Sequence, residues 1–178
     1  MKNTRKLVFA AAIGALYAVL TMALSPISYG PLQLRVSEVL CILPYFMPFT
    51  AWGLFFGCVI ANLVSAAGIL DVVFGSLATL FACLCMAAFG KNDSRANRIF
   101  ACLMPVLWNG IIVGLTLTVA VAGLSPLKNF GAFCVYAGQV ALGETGVMFV
   151  FGLPLMSYLP RQNFFIEFRA KLLDKEYR

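Results

Sequence analysis

Long apolar runs alternate along this chain with short breaks marked by glycine, proline and charge. Runs at about 7–24, 70–89, 98–122 and 134–158 each hold the roughly 20 residues that a helix needs to cross a bilayer. A further apolar run, 36–66, is too long for one upright helix and is interrupted at Pro48-Phe49-Thr50. Beyond the last run, the stretch from Pro160 to Arg178 ("FFIEFRAKLLDKEYR" in its heart) alternates apolar and charged residues at helical spacing. It predicts a short amphipathic helix lying on a membrane surface.

Charge decides how the 36–66 run is divided. With a single span there, the count is five, and the loop carrying Lys91, Arg95 and Arg98 falls opposite the basic N-terminus. With two spans the count is six and both termini lie on one side. Eleven of the thirteen basic residues then share that side, leaving Arg35 and Lys128 opposite, as the positive-inside tendency favours. The expected architecture is an all-α integral membrane protein. It is one transmembrane domain, a single bundle of six helices at about 7–24, 32–48, 50–66, 70–89, 98–122 and 134–158, with a cytoplasmic tail at 160–178 and both termini inside. The second helix has to begin near Pro31 to Gln33, because Val39 to Phe49 alone rises only about 16 Å against a hydrocarbon core of about 30 Å. Proline is tolerated in a first turn, and a glutamate there is favoured by the helix dipole. Arg35 and Glu38, at i and i+3, then share a face.

Composition narrows the chemistry. The chain is 62% hydrophobic, which is not the balance of a soluble domain, and the first run is expected to be a span rather than a cleaved leader. There is no histidine, and the six cysteines, Cys41, Cys58, Cys83, Cys85, Cys102 and Cys134, have no C-x-x-C spacing. A metal site, a haem site, a redox motif and any other cofactor are therefore not expected, and cysteine reads as a small apolar filler. "FGKND", Phe89 to Asp93, lacks the first glycine and the hydroxyl of a P-loop, so ATP hydrolysis by that mechanism is excluded. Without a nucleophile–base pair the chain is not expected to be an enzyme, and no catalytic residue is assigned. No feature points to nucleic acid.

Polar residues inside spans are costly and so mark function by default. Asn62, Asp71, Gln139 and Glu144 fall in the outer parts of their helices and Asn109 near the middle of its own, and with Arg35 and Glu38 they outline a cup on the outer side. The inner halves carry almost nothing comparable, so no continuous polar path crosses. A channel or a self-sufficient carrier needs one. Arg35 with Glu38 also reads as a satisfied ion pair, and Asn62 or Asn109 as a packing hydrogen bond. Glu144, between Gly143 and Gly146 and far from a helix end, is the hardest to explain structurally. The first helix carries two rows of small residues, Ala11-Ala15 and Ala10-Gly14-Ala18, that let another helix approach closely. By pattern alone that helix is either a neighbour in this chain or an external partner. Gly53-x-x-x-Gly57 and Gly110-x-x-x-Gly114 read as internal packing.

Several segments, "SPISYGPLQLRVSEVLCILPYF", "GLFFGCVIANL", "LDVVFGSLATL", "WNGIIVGL" and "ALGETGVMFVFGLPL", resemble the QueT family, a group of substrate-binding (S) components of energy-coupling factor transporters. The resemblance implies a prokaryotic plasma-membrane protein that takes up queuosine precursors and topples in the membrane to carry its load inward. It implies as partners a transmembrane scaffold subunit, docked on Ala11, Gly14, Ala15 and Ala18, and two cytoplasmic ATPases. The implied ligand is a 7-deazaguanine, queuine or its 7-cyano or 7-aminomethyl precursors. Glu144 could accept both N1–H and the exocyclic amino group, and Asn109 and Gln139 suit the remaining polar atoms. Trp108, Tyr136, Tyr29 or Phe74 could sandwich the ring. Asp71 or Glu38 would meet an aminomethyl cation. The rival readings are an S component for another vitamin, such as riboflavin or thiamine, and a stand-alone secondary carrier.

Overall fold

The computed structural model describes residues 2–30 and 32–173 and is helical, with no strand among the described residues. Four helical segments are long and apolar enough to cross a membrane: Asn3–Ala23, Asp71–Phe89, Arg95–Ala120 and Phe130–Arg161. Two shorter apolar segments, Val36–Phe46 and Thr50–Asn62, lie between the first and second of these. Residues such as Leu7, Val19, Phe56, Leu142 and Val150 leave large apolar side chains on the outside, the surface of a membrane-integral protein.

Helix α1 (Lys2–Ala23) is followed by a single turn, α2 (Ser25–Ser28). The next segment is a 3-10 helix, Val36–Ile42, running into α3 (Leu43–Phe46). At 2.0 Å per residue the 3-10 part climbs faster than an α-helix, so these eleven residues rise about 20 Å. That corrects the expected helix start. Residues 33–35 are not helical, Arg35 sits in extended backbone as the N-cap, and the expected start at Pro31 lies outside the described residues. The segment is enclosed by the longer helices, with Cys41, Ile42, Tyr45 and Phe46 all buried.

Helix α4 (Thr50–Asn62) stops short of the expected 66, and residues 63–69 form turns. It packs along α1, where Gly14 faces Gly53 and Gly57 so closely that a Cβ at any of the three would overlap the opposite backbone. The row Ala10-Gly14-Ala18 thus packs against α4, with Ala10 and Ala18 buried, while Ala11 and Ala15 remain exposed. Helix α5 (Ser76–Phe89) begins with a π turn at Asp71–Gly75. Helix α6 (Arg95–Ala120) contains Pro105 and is capped by Ser94, whose Oγ accepts from Asn97 N–H at 3.1 Å. Helix α7 (Phe130–Thr145) widens into a π stretch, Gly146–Gly152, before α8 (Leu153–Tyr158). Pro154 lies just beyond that stretch and has no N–H to return to the preceding turn, a common setting for a widened ladder.

The two ends of the molecule are fastened differently. At one end Tyr29 Oη donates to the Ala61 carbonyl at 2.5 Å, and Asn62 Nδ2 donates to the Asp71 carbonyl at 2.9 Å. At the other, Phe9 packs on Phe49 and Phe168, and Tyr45 Oη donates to Asp93 at 2.8 Å. There too Arg169 Nε, from α9 (Asn163–Leu173), donates to the free Phe46 carbonyl at 3.0 Å. The expected amphipathic tail is therefore a helix with Phe165 and Leu172 buried against the rest of the chain, and residues 174–178 of the expected tail lie outside the described residues.

Candidate functional site

Close packing of α6 on α7 places the first pair. Gly110 lies against Ala141 and Gly114 against Ala137, so the helices approach near backbone contact. Across that contact Asn109 Nδ2 donates to Glu144 Oε1 at 2.8 Å. Both side chains are buried, and both keep an acceptor without a partner, Glu144 Oε2 and Asn109 Oδ1.

A second group surrounds Arg35, whose Nη2 meets Asp71 Oδ2 at 3.1 Å with both residues buried. The expected face shared with Glu38 is thereby corrected. Arg35 precedes the helix and turns to the π turn before α5, so its counter-charge comes from Asp71. The Arg35 guanidinium also stands 5.5 Å from the centre of the Tyr29 ring. Asn62, bonded to the Asp71 carbonyl, belongs to this group.

Glu38 lies in a third group. Tyr17 Oη donates to its Oε1 at 2.5 Å, Cys41 Sγ to its Oε2 at 3.0 Å, and Thr79 Oγ1 stands 3.3 Å from Oε1. Glu38 is fully buried with both oxygens partnered, whereas Asp71, equally buried, pairs through Oδ2 and keeps Oδ1 without a partner. Tyr17, Cys41 and Thr79 were not among the sequence candidates. The hydroxyl of Tyr17, one of two polar side chains in the run 7–24 with Thr21, was the available signal.

A cavity of about 410 Å³ opens among Tyr29, Gln33, Ser65, Ala67, Tyr136 and Gln139, within the size range of small-molecule sites. Of the expected polar residues only Gln139 lines it. Of the expected aromatics, Tyr29 and Tyr136 line it, Trp108 instead packs on Phe81 at 5.2 Å, and Phe74 is half exposed. Gln33, a lining residue, was not expected. Among the described residues no group of three or more His, Cys, Asp or Glu is arranged to hold a metal ion.

The expected docking residues separate. Ala11, Gly14 and Ala15 line a groove of about 550 Å³ between α1 and α4, walled by Leu7, Trp52, Phe56 and Ile60. Ala18 is buried outside it.

The sequence profile described as QueT transporter matches residues 7–161. The chain belongs to the QueT transporter family. It is also similar to the queuosine precursor transporter QueT of Lactococcus lactis subsp. cremoris (strain MG1363), 43% identical over 80 residues. That match covers 44% of this chain and 47% of the relative, so it spans about half the relative's length. No solved structure matches. The family is described as one of transporters, and membership accords with the long apolar helices. The matched region contains the three buried polar groups around Glu144, Arg35 and Glu38.

Proposed function

We propose that this chain is the substrate-binding S component of an energy-coupling factor importer and that its substrate is a 7-deazaguanine queuosine precursor. The observation that carries the reading is the Asn109–Glu144 pair, buried, mutually bonded and still holding two unpartnered acceptors. Buried acceptors without partners are expensive unless something completes them. A guanine-like edge presents two adjacent donors, N1–H and the exocyclic amino group, and Glu144 Oε2 with Asn109 Oδ1 would receive one each. One of those bonds would be charge-assisted and strong.

The same reading makes the chain one six-crossing transmembrane domain in the plasma membrane with both termini inside. Val36–Phe46 and Thr50–Asn62 are its two short, internally packed crossings, and the distribution of basic residues supports the orientation. The groove over Ala11, Gly14 and Ala15 would seat a helix of the scaffold subunit, whose two ATPase partners supply the energy while the loaded bundle topples inward. Its small-residue floor permits close approach and its aromatic wall supplies contact area.

Titration calorimetry of the purified protein with 7-aminomethyl-7-deazaguanine tests the substrate. Glu144→Gln is expected to weaken binding by about 2–5 kcal/mol, as for breaking a buried charge-assisted pair, with the fold retained. Equal affinities would remove Glu144 from the site. For the partner, Ala15→Trp fills the groove from an exposed position. It is expected to abolish ATP-driven uptake in the assembled transporter while ligand binding to the isolated chain stays as in wild type. Undiminished uptake would defeat docking there.

A further inference from the structure

Gln33 is the non-glycine residue with a left-handed backbone among the described residues, at φ 48°. Side chains other than those of asparagine and aspartate rarely adopt that conformation, and where they do it often belongs to a binding site. Here the turn is held in place. Gln33 N–H donates to the Gly30 carbonyl at 2.9 Å, and Leu34 N–H to the Ile27 carbonyl at 3.1 Å. Helix α7 lies against the Leu32 carbonyl so tightly that only a residue without a Cβ fits at Gly143.

What the turn presents is a carboxamide. Gln33 is 4% exposed, its Oε1 is buried without a hydrogen-bond partner, and the residue lines the 410 Å³ cavity with Tyr29, Tyr136 and Gln139. A glutamine kept only for its backbone would release its amide to water, since burying an unsatisfied carbonyl oxygen is unfavourable. Two carboxamides and two tyrosine rings around one space suit a planar heterocycle carrying N–H groups, because each amide both donates and accepts and the rings supply flat apolar faces.

We propose that Gln33 is a ligand-recognition residue, its Oε1 accepting a hydrogen bond from a donor on the five-membered-ring side of a 7-deazaguanine bound in this cavity. This rests on the substrate reading above.

Two variants test it. Gln33→Met keeps the length of the side chain and removes the amide, whereas Gln33→Gly removes the amide and suits the left-handed backbone. Each is measured by thermal denaturation in detergent and by calorimetric titration with 7-aminomethyl- and 7-cyano-7-deazaguanine. Melting close to wild type for Gln33→Met, and at or above wild type for Gln33→Gly, is expected together with affinity about tenfold lower in both, the loss of one hydrogen bond to a buried acceptor. Loss with both ligands places the donor on the pyrrole ring, and loss with the aminomethyl compound alone places it on the substituent. Wild-type affinity for both ligands in either folded variant overturns the proposal while leaving the substrate reading intact. Failure of the unaltered protein to bind either compound overturns both.

Discussion

Glu38 and Glu144 are both buried carboxylates, yet one has its hydrogen-bonding capacity filled by the protein and the other does not. Around Glu38 converge a phenol from α1, a thiol one turn along its own segment and the Thr79 hydroxyl of α5. Glu144 receives a single amide from Asn109 and keeps Oε2 free. Burial alone therefore does not separate the two carboxylates; the count of donors does. A saturated carboxylate ties helices together, and an unsaturated one is prepared for a donor from elsewhere.

The sharpest way to break this comparison is to remove each carboxylate and measure stability rather than binding. Glu38→Ala leaves Tyr17 Oη and Cys41 Sγ buried without their acceptor and is expected to destabilise the protein by about 3–5 kcal/mol, on the order of two hydrogen bonds to a charged group. Glu144→Ala strands only the Asn109 amide and is expected to cost about 1–3 kcal/mol. Denaturation in detergent with and without ligand reads both. A Glu144→Ala variant as unstable as Glu38→Ala would erase the distinction. Next in size is Tyr17→Phe, which removes one donor while keeping the ring. About 1.5–3 kcal/mol is expected, with ligand affinity unchanged once the folded fraction is accounted for. A fall in affinity with undiminished melting temperature would move the Glu38 group into the binding site.

The two carboxylates were not equally legible in the sequence. The four long apolar helices lie within a few residues of the apolar runs, because length and hydropathy are local properties. The break at Pro48 and the internal use of Gly53, Gly57, Gly110 and Gly114 were legible for the same reason. Glu144 stood out because glycines flank it inside a long apolar run. Glu38 was paired with Arg35 because helical spacing reports neighbours at i+3, whereas Arg35 reaches Asp71, thirty-six positions away. The early helix start failed with it. A 3-10 rise let a short segment cover the distance that an α-helix would have needed more residues to span. Gln33 was invisible for a different reason. It was expected only as part of the helix start near Pro31 to Gln33, and a helical reading gives no sign of the left-handed turn at which its carboxamide is buried.

A third carboxylate separates the number of partners from burial. Asp93, in the loop between α5 and α6, accepts from Arg98 Nε at 2.8 Å, from Arg98 Nη2 at 2.6 Å and from Tyr45 Oη at 2.8 Å, as many bonds as Glu38 has neighbours. Its side chain is nevertheless 45% exposed. The Arg98 N–H groups, and after them the Tyr45 hydroxyl, hold its carboxyl below the ordinary range. A depressed carboxylate contributes stability that is present above its unfolded pKa and is lost as pH falls through the folded value. Solvent screens the pair, so Asp93→Asn is expected to lower stability at neutral pH by less than about 1 kcal/mol, and by less again in high salt. Because the asparagine has no proton to gain, the gap between wild type and variant should close on the acid side of the usual carboxylate range. A gap that widens on acidification would contradict the assignment. A loss at neutral pH as large as that of Glu38→Ala would show that partner number outweighs burial, and the contrast between Glu38 and Glu144 would then rest on partners alone.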